Sequence, residues 1–343
     1  MRNKLYSVFI RFNKLTIFLT IFVVFAGSMV KVTGSGMGCP DWPKCFGYYI
    51  PPFTVDKITW KSNYIYSENQ MIIQDGELLV APRRIRTTDV FKRSNWKLFD
   101  DHDYNEYHPI HTIIESVNRW ATVILGFVVF GMLVFSLKTN RYKKINISLS
   151  ILTFLLIGFE AWLGKLVVEG VLNPMDISYH MLIAFVIVIV LSCVHSRNST
   201  SKSIDYPGLY KKVQIGAFLY LLVQLILGVV LRQTFDAYAD TGRDTWVDQA
   251  SFTFYIHRSS SLIYVLFTII TWYLIKNFSK DSYEWKNFKW IIIITVLEIL
   301  SGAIMGYLDV PKFAQPLHVI LSSILLLVQT NLFFRIFWNR NIK

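Results

Sequence analysis

Eight long apolar blocks dominate the sequence, at about 14–32, 113–137, 145–168, 177–195, 213–231, 254–275, 290–308 and 313–337. Each is close to the roughly 20 residues that a helix needs to cross a bilayer. With 53% hydrophobic and only 17% charged residues among 343, the chain is too apolar for a soluble domain of its size. The first block is long and no small-residue cleavage site follows it, so it reads as a span and not as a removed leader.

A net charge of +12 would suggest a polyanionic partner, but its distribution assigns it to topology. Arg2, Lys4, Arg11 and Lys14 lie at the start of the first block. Lys138, Arg141, Lys143 and Lys144 separate the second from the third, and Arg197, Lys202, Lys211 and Lys212 the fourth from the fifth. Lys276, Lys280, Lys286 and Lys289 separate the sixth from the seventh, and Arg335, Arg340 and Lys343 close the chain. The other connections carry acids, Glu169 and Asp176 in one and Asp236, Asp240, Asp244 and Asp248 in another. By the positive-inside rule both termini and the basic connections are cytoplasmic. The partner this charge implies is the lipid membrane, with no nucleic acid.

The two halves repeat. "FEAWLGKLVVEGVLNPMDISYHMLIA" aligns without a gap on "LEILSGAIMGYLDVPKFAQPLHVILS", which matches Glu160 with Glu298, Gly164 with Gly302 and His180 with His318. "ESVNRW" lies over "FYIHRS", so Asn118 matches His257 and Arg119 matches Arg258. Upstream, Gly27, Lys31 and Thr33 match Gly228, Arg232 and Thr234. The expected fold is an all-α integral membrane protein, with eight transmembrane helices forming two pseudo-symmetric parallel four-helix bundles. The N-terminal unit covers 1–195 and carries an outer insertion at about 34–107; the C-terminal unit covers 196–343. Within the insertion, "MIIQDGELLVAPRRIR" reads as a short hairpin turning at Asp75-Gly76.

Polar side chains inside spans are expensive and each one asks for a partner. His180, His257 and His318 all lie in the first third of a span that enters from the outer face, and so at one depth near the outer leaflet. Neutral imidazole is a good iron ligand, and facing helices of a four-helix unit can hold a heme edge-on between two of them. His257 and His318 suit that arrangement. The fourth corner is broken, because Asn118 stands where symmetry predicts histidine, and an amide is a poor axial ligand for heme iron. His111 lies seven residues earlier on the same face, about 10 Å further out. It is either a substitute ligand for a heme that rides higher or an interfacial helix-start residue behind Pro109. His102 and His108 read as loop residues.

Glu115 shares a face with Asn118. It is a candidate proton acceptor, or a stabiliser of positive charge on a reacting carbon, with an ion pair to His111 or Arg119 as the alternative. Glu160 and Glu298 read as structural partners for polar groups between the units, with a catalytic role as the alternative. Arg119 and Arg258, which directly follow Asn118 and His257, and Lys31 and Arg232 at outward-facing span ends suit heme propionates at the interface, with snorkelling to the surface as the alternative for Lys31. Cys39 and Cys45 favour a disulfide closing a small outer loop, with a redox or metal role as the alternative. Cys193 reads as an inert apolar residue.

In these motifs the chain resembles the heme A synthase family: the exit loop "TGSGMGCPDWPKCFG", then "IESVNRW", "SYHMLIAF", "YIHRSSSL" and "PLHVILS", in this order over nearly the whole sequence. The resemblance implies an oxidoreductase that oxidises the C8 methyl group of heme O in steps to the formyl group of heme A. It implies heme b on His257 and His318, with Arg258 beside it. Substrate heme O would lie in the N-terminal unit near His180, Asn118, Arg119 and His111, with His180 on its iron and Glu115 catalytic. Heme O synthase and cytochrome oxidase assembly factors are the implied partners. A bacterial inner membrane is the expected location, with the heme sites near the outer face. Two other readings stay open, a di-heme membrane cytochrome that only relays electrons and a transporter built from parallel repeats. The transporter predicts broken helices near the midplane, and the sequence has no obvious one.

Overall fold

A computed structural model describes residues 2–99, 107–199 and 206–338; His102 lies outside them. The helices are α1 (Arg2–Thr33), α2 (Pro109–Lys138), α3 (Lys143–Glu169), α4 (Pro174–Arg197), α5 (Gly208–Ala237), α6 (Arg243–Gln249), α7 (Ser251–Ile275), α8 (Tyr283–Tyr307) and α9 (Ala314–Trp338). All except α6 are long and apolar enough to cross a membrane. The chain is therefore an all-α membrane protein with eight candidate spans.

Each expected block falls on one of these helices and overruns it by at most one residue. Most of the helices reach well beyond their blocks. Hydropathy ends where polar residues begin, whereas backbone hydrogen bonding continues to a cap. Proline opens α2 and α4, where its missing N–H costs nothing. Asn173 caps α4 by accepting from the Met175 N–H at 2.9 Å, and Ser282 caps α8 through the Trp285 N–H at 3.2 Å. Sequence reading missed α6, which is too short to show an apolar period. Arg243 on α6 donates to the Val310 carbonyl at 2.6 Å and so ties α6 to the turn before α9.

Helices α1, α2, α3 and α4 pack in a ring, each against the next and α1 against α4. Helices α5, α7, α8 and α9 close a second ring in the same way. The rings meet where α4 packs on α9 and α5, and α1 on α9. Hydrocarbon offers no hydrophobic drive between helices, so small polar side chains help to hold the seam. Ser192 on α4 donates to Asn331 Oδ1 at 2.9 Å. Within the second ring, Tyr264 donates to Gln329 at 3.0 Å, Gln329 to Gln214 at 3.1 Å and Gln214 to Thr271 at 2.9 Å. The largest apolar core spans this seam, with Phe185 and Val188 against Leu221, Ile294, Leu321 and Leu325.

The insertion between α1 and α2 forms a small cap. Strands β1 (Ile65–Tyr66), β2 (Met71–Gln74), β3 (Glu77–Val80), β4 (Ile85–Arg86) and β5 (Lys97–Leu98) pair antiparallel as β1–β4 and β2–β3–β5. The expected hairpin is present: Gln74 pairs with Glu77, and Asp75 and Gly76 turn with φ of +53° and +79°. Positive φ at both central residues matches the right-handed twist of the flanking strands.

Candidate functional site

The repeat-matched polar residues occupy matched surroundings. His257 on α7 rests against Gly228 on α5, and a Cβ there would come within 3.2 Å of the ring. His318 on α9 rests against Gly302 on α8 at 3.6 Å by the same measure, and His180 on α4 against Gly164 on α3 at 3.6 Å. Asn118 on α2 takes the fourth place, with its Oδ1 3.8 Å from a Cβ built on Gly27 of α1. Glycine in the neighbouring helix lets each side chain lie flat against backbone.

The rings of His257 and His318 have centroids 6.3 Å apart and planes inclined at 75°. A metal takes an imidazole nitrogen at about 2 Å, and the ring centre lies about 1 Å beyond, so two rings sharing one iron stand about 6 Å apart. The donor set fits a bis-imidazole iron porphyrin. Glu298 Oε2 lies 2.6 Å from His318 Nδ1, which leaves Nε2 as the ligating nitrogen. Ser301 Oγ is 2.8 Å from the same Nδ1, and Ser322 donates to Glu298 Oε1 at 2.6 Å. On the other side, Gln224 donates to the His257 carbonyl at 2.7 Å and its amide nitrogen stands 3.4 Å from Nδ1. Ser260 donates to Gln224 Oε1 at 3.0 Å.

Gln224, Ser260, Ser301 and Ser322 escaped the sequence reading. Their only signal is position, three or four residues from Gly228, His257, Glu298 and His318 on a shared helix face. The repeat-matched positions in the first unit are Val23, Ala121, Leu163 and Ala184, all apolar. There His180 keeps only the matched acid, with Glu160 Oε1 3.3 Å from its Nδ1. The two units share one frame and differ in how firmly it is buttressed.

Glu115 and Arg119 lie under the cap. Glu115 is 4% exposed. Its Oε2 accepts from the Cys39 N–H at 2.9 Å, and its Oε1 meets Arg119 Nη2 at 2.5 Å. Of the readings given to Glu115, the ion pair with Arg119 is present. Arg119 also donates to the carbonyls of Asp41 and Lys44 at 2.7 Å each and of Cys39 at 3.2 Å. Its guanidinium is thus taken up by cap backbone. Cys39 and Cys45 form a disulfide. Gly38 lies so close to α2 that a Cβ would sit 2.6 Å from the His111 carbonyl carbon. Thr112 donates to the Gly38 carbonyl at 2.8 Å.

Among the described residues His111 Nδ1 is buried without a hydrogen-bond partner, and its ring lies 5.0 Å from that of His108. Arg258 is exposed, with its guanidinium carbon 5.1 Å from the Tyr255 ring centroid. Lys31 and Arg232 both pair with Asp236 at 2.8 Å. Arg232 also donates to the Pro174 carbonyl at 2.9 Å and to Ser178 at 3.0 Å. In this half-buried cluster Asp236 of α5 joins α1 through Lys31, and Arg232 bridges to α4.

Comparison with known proteins places the chain in a family. The heme A synthase of Shewanella oneidensis is 27% identical over 184 residues, covering 54% of this chain and 44% of that protein. The heme A synthase of Staphylococcus epidermidis is 23% identical over 251 residues, covering 68% of this chain and 81% of that protein. This chain thus spans less than half the length of the Shewanella relative. The family model described as "Cytochrome oxidase assembly protein", COX15-CtaA, matches residues 11–74 and 90–330, from within the first candidate span to within the eighth. The chain belongs to this family.

Proposed function

We propose that this chain is a heme A synthase, an oxidoreductase that converts the C8 methyl group of heme O stepwise to a formyl group. The observation that carries the reading is the His257–His318 pair, at a spacing that suits one iron, with its frame copied in the other four helices around His180 and Asn118. The C-terminal pair holds a resident heme b, and His180 binds the iron of the substrate heme O.

Converting a methyl group and one water to a formyl group releases four protons and four electrons, so the site needs a proton acceptor and an electron path. Bound heme b supplies reversible one-electron chemistry. Glu298 orients His318 and makes it a stronger donor. Gln224 fixes the α7 backbone at His257. Glu115, three residues from Asn118 on the same face of α2, supplies the negative charge beside the reacting carbon and accepts protons. Arg119 holds that carboxylate beneath the cap, and the cap excludes water from the outer end of the site. A heme O synthase supplies the substrate, and assembly of cytochrome oxidase consumes the product. Both termini are assigned to the cytoplasm of a bacterial cell and the sites to the outer half of its inner membrane, on the charge of the connections.

The test is pigment analysis. Cells that make heme O and express this chain are expected to yield a formyl heme on extraction. Recovery of heme O and heme B alone, with the protein loaded with porphyrin, overturns the reading in favour of an electron-relay cytochrome.

A further inference from the structure

We infer that the N-terminal site holds its porphyrin on one protein ligand, His180, and leaves the opposite iron position open to a small exogenous ligand, with Asn118 as the polar residue over that position. The inference rests on the two-porphyrin reading above and concerns what this chain does with the histidine it lacks.

Three observations carry it. Asn118 occupies the place over Gly27 that His257 occupies over Gly228, so its side chain enters the site from the direction of a second ligand. An asparagine oxygen lies one bond beyond Cγ, whereas histidine Nε2 lies two bonds beyond, so the amide stops short of an iron held at imidazole distance. It is also a poor ligand for that iron. Second, Asn118 Oδ1 is buried with no hydrogen-bond partner among the described residues. A buried amide oxygen left unpaired is costly, and a bound water or other polar ligand relieves that cost. Third, the obvious substitute is held elsewhere. The backbone of His111 is clasped by Gly38 of the cap, its ring lies beside His108, and two helical turns place it about 10 Å further out than Asn118.

The ligand class follows from the gap. One imidazole below and one short amide above leave the iron position between them to water or a diatomic molecule, and the apolar Val23, Ala121, Leu163 and Ala184 at the matched positions supply no ligand in its place. The amide NH2 of Asn118 can donate to such a ligand, as polar residues above an open heme position do.

The experiment loads the purified full-length chain with iron protoporphyrin IX and records ferric EPR and the ferrous carbon monoxide difference spectrum. The wild type is expected to hold two porphyrins, one low-spin and unreactive, the other high-spin and able to bind carbon monoxide. Asn118→His is expected to convert the reactive porphyrin to a low-spin, unreactive one. Asn118→Leu should keep the binding but speed release of the gas. Two low-spin porphyrins in the wild type overturn the inference and leave the two-site reading intact; if His111→Ala then creates carbon monoxide binding, His111 is the missing ligand. Uptake of a single porphyrin overturns the two-site reading and the inference with it.

Discussion

Glu298 Oε2 stands 2.6 Å from His318 Nδ1, while the matched Glu160–His180 contact in the other half is 3.3 Å. The shorter contact is reinforced by Ser301 and Ser322, and the longer one has Leu163 and Ala184 at the corresponding places. The matched contact is thus buttressed more heavily at His318 than at His180, an inequality that suits a resident group at the first and a group that must leave at the second.

The first prediction concerns that inequality. Losing the partner of a ligating histidine lowers affinity for the bound group about 10–100-fold. Glu298→Gln is expected to lower heme retention in the C-terminal site by about tenfold, measured by transfer to a heme-scavenging apoprotein. Glu160→Gln should have the smaller effect on its own site. Equal losses would argue that the buttress contributes nothing.

Glu115 serves both the proposed chemistry and the cap, and the two roles separate. Glu115→Gln keeps an acceptor for the Cys39 N–H but removes the charge, so formyl heme production should be lost while the cap stays resistant to protease. Arg119→Ala leaves a buried carboxylate unpaired, a change that costs about 3–5 kcal/mol, and should open the cap to cleavage as well. Normal product from Glu115→Gln would end the catalytic assignment.

Backbone contact makes two cap glycines irreplaceable. A Cβ at Gly38 would lie 2.6 Å from the His111 carbonyl carbon, and one at Gly47 would lie 2.1 Å from the Asn69 carbonyl oxygen. Gly38→Ala is expected to lift the cap from α2 and break the Cys39–Glu115 hydrogen bond, seen as faster amide exchange at Cys39. Gly76→Ala, with open space around it, should cost only about 1–2 kcal/mol for its positive φ.

The disulfide closes a very short loop, with Cys39 and Cys45 six positions apart. Chain-entropy arguments give roughly 2 kcal/mol for a ring of this size. Cys39→Ser with Cys45→Ser should therefore lower the cap's resistance to proteolysis without unfolding the eight spans, which have their own seam along α4 and α9. Loss of the whole protein from the membrane would contradict this separation.

Burial raises the pKa of Asp41 above its ordinary value, partly offset by the Gly47 N–H it accepts at 3.0 Å and by nearby Arg119. The folded cap therefore binds this proton more tightly than the unfolded chain does. Its contribution is fully present below the ordinary aspartate value of about 4 and is lost as pH rises through the folded pKa. Cap stability should fall on going from acid to neutral pH, and Asp41→Asn should flatten that slope. An unchanged slope in Asp41→Asn would assign the pH dependence to another group.

The spans were legible because each is a long unbroken apolar run, and the matches of Glu160 with Glu298 and of His180 with His318 because ionisable residues are rare in such runs. That each glutamate meets the histidine of its own unit, and not polar groups between the units, was not legible, since it depends on how neighbouring helices face each other. The hairpin was legible from Asp75-Gly76, whose positive φ values few other pairs adopt. Gln224, Ser260, Ser301 and Ser322 were not, since serine and glutamine occur in spans for many reasons and only a neighbour in space gives them a role. The Arg119–Glu115 pair was legible from the spacing of four residues on one helix. The contacts of Arg119 to the carbonyls of Asp41 and Lys44 were not, because those residues lie far upstream in the cap, a distance that periodicity cannot bridge. Strands of two residues, such as β1, β4 and β5, carry no alternation to read.

The central claim is that His257 and His318 share one iron while a second porphyrin occupies the sister bundle. Ferric EPR of the purified, loaded chain and of His318→Ala tests it most directly. The account predicts a low-spin signal that disappears in His318→Ala, with one porphyrin still bound on His180. An unchanged low-spin signal, with as many porphyrins bound as in the wild type, would contradict it.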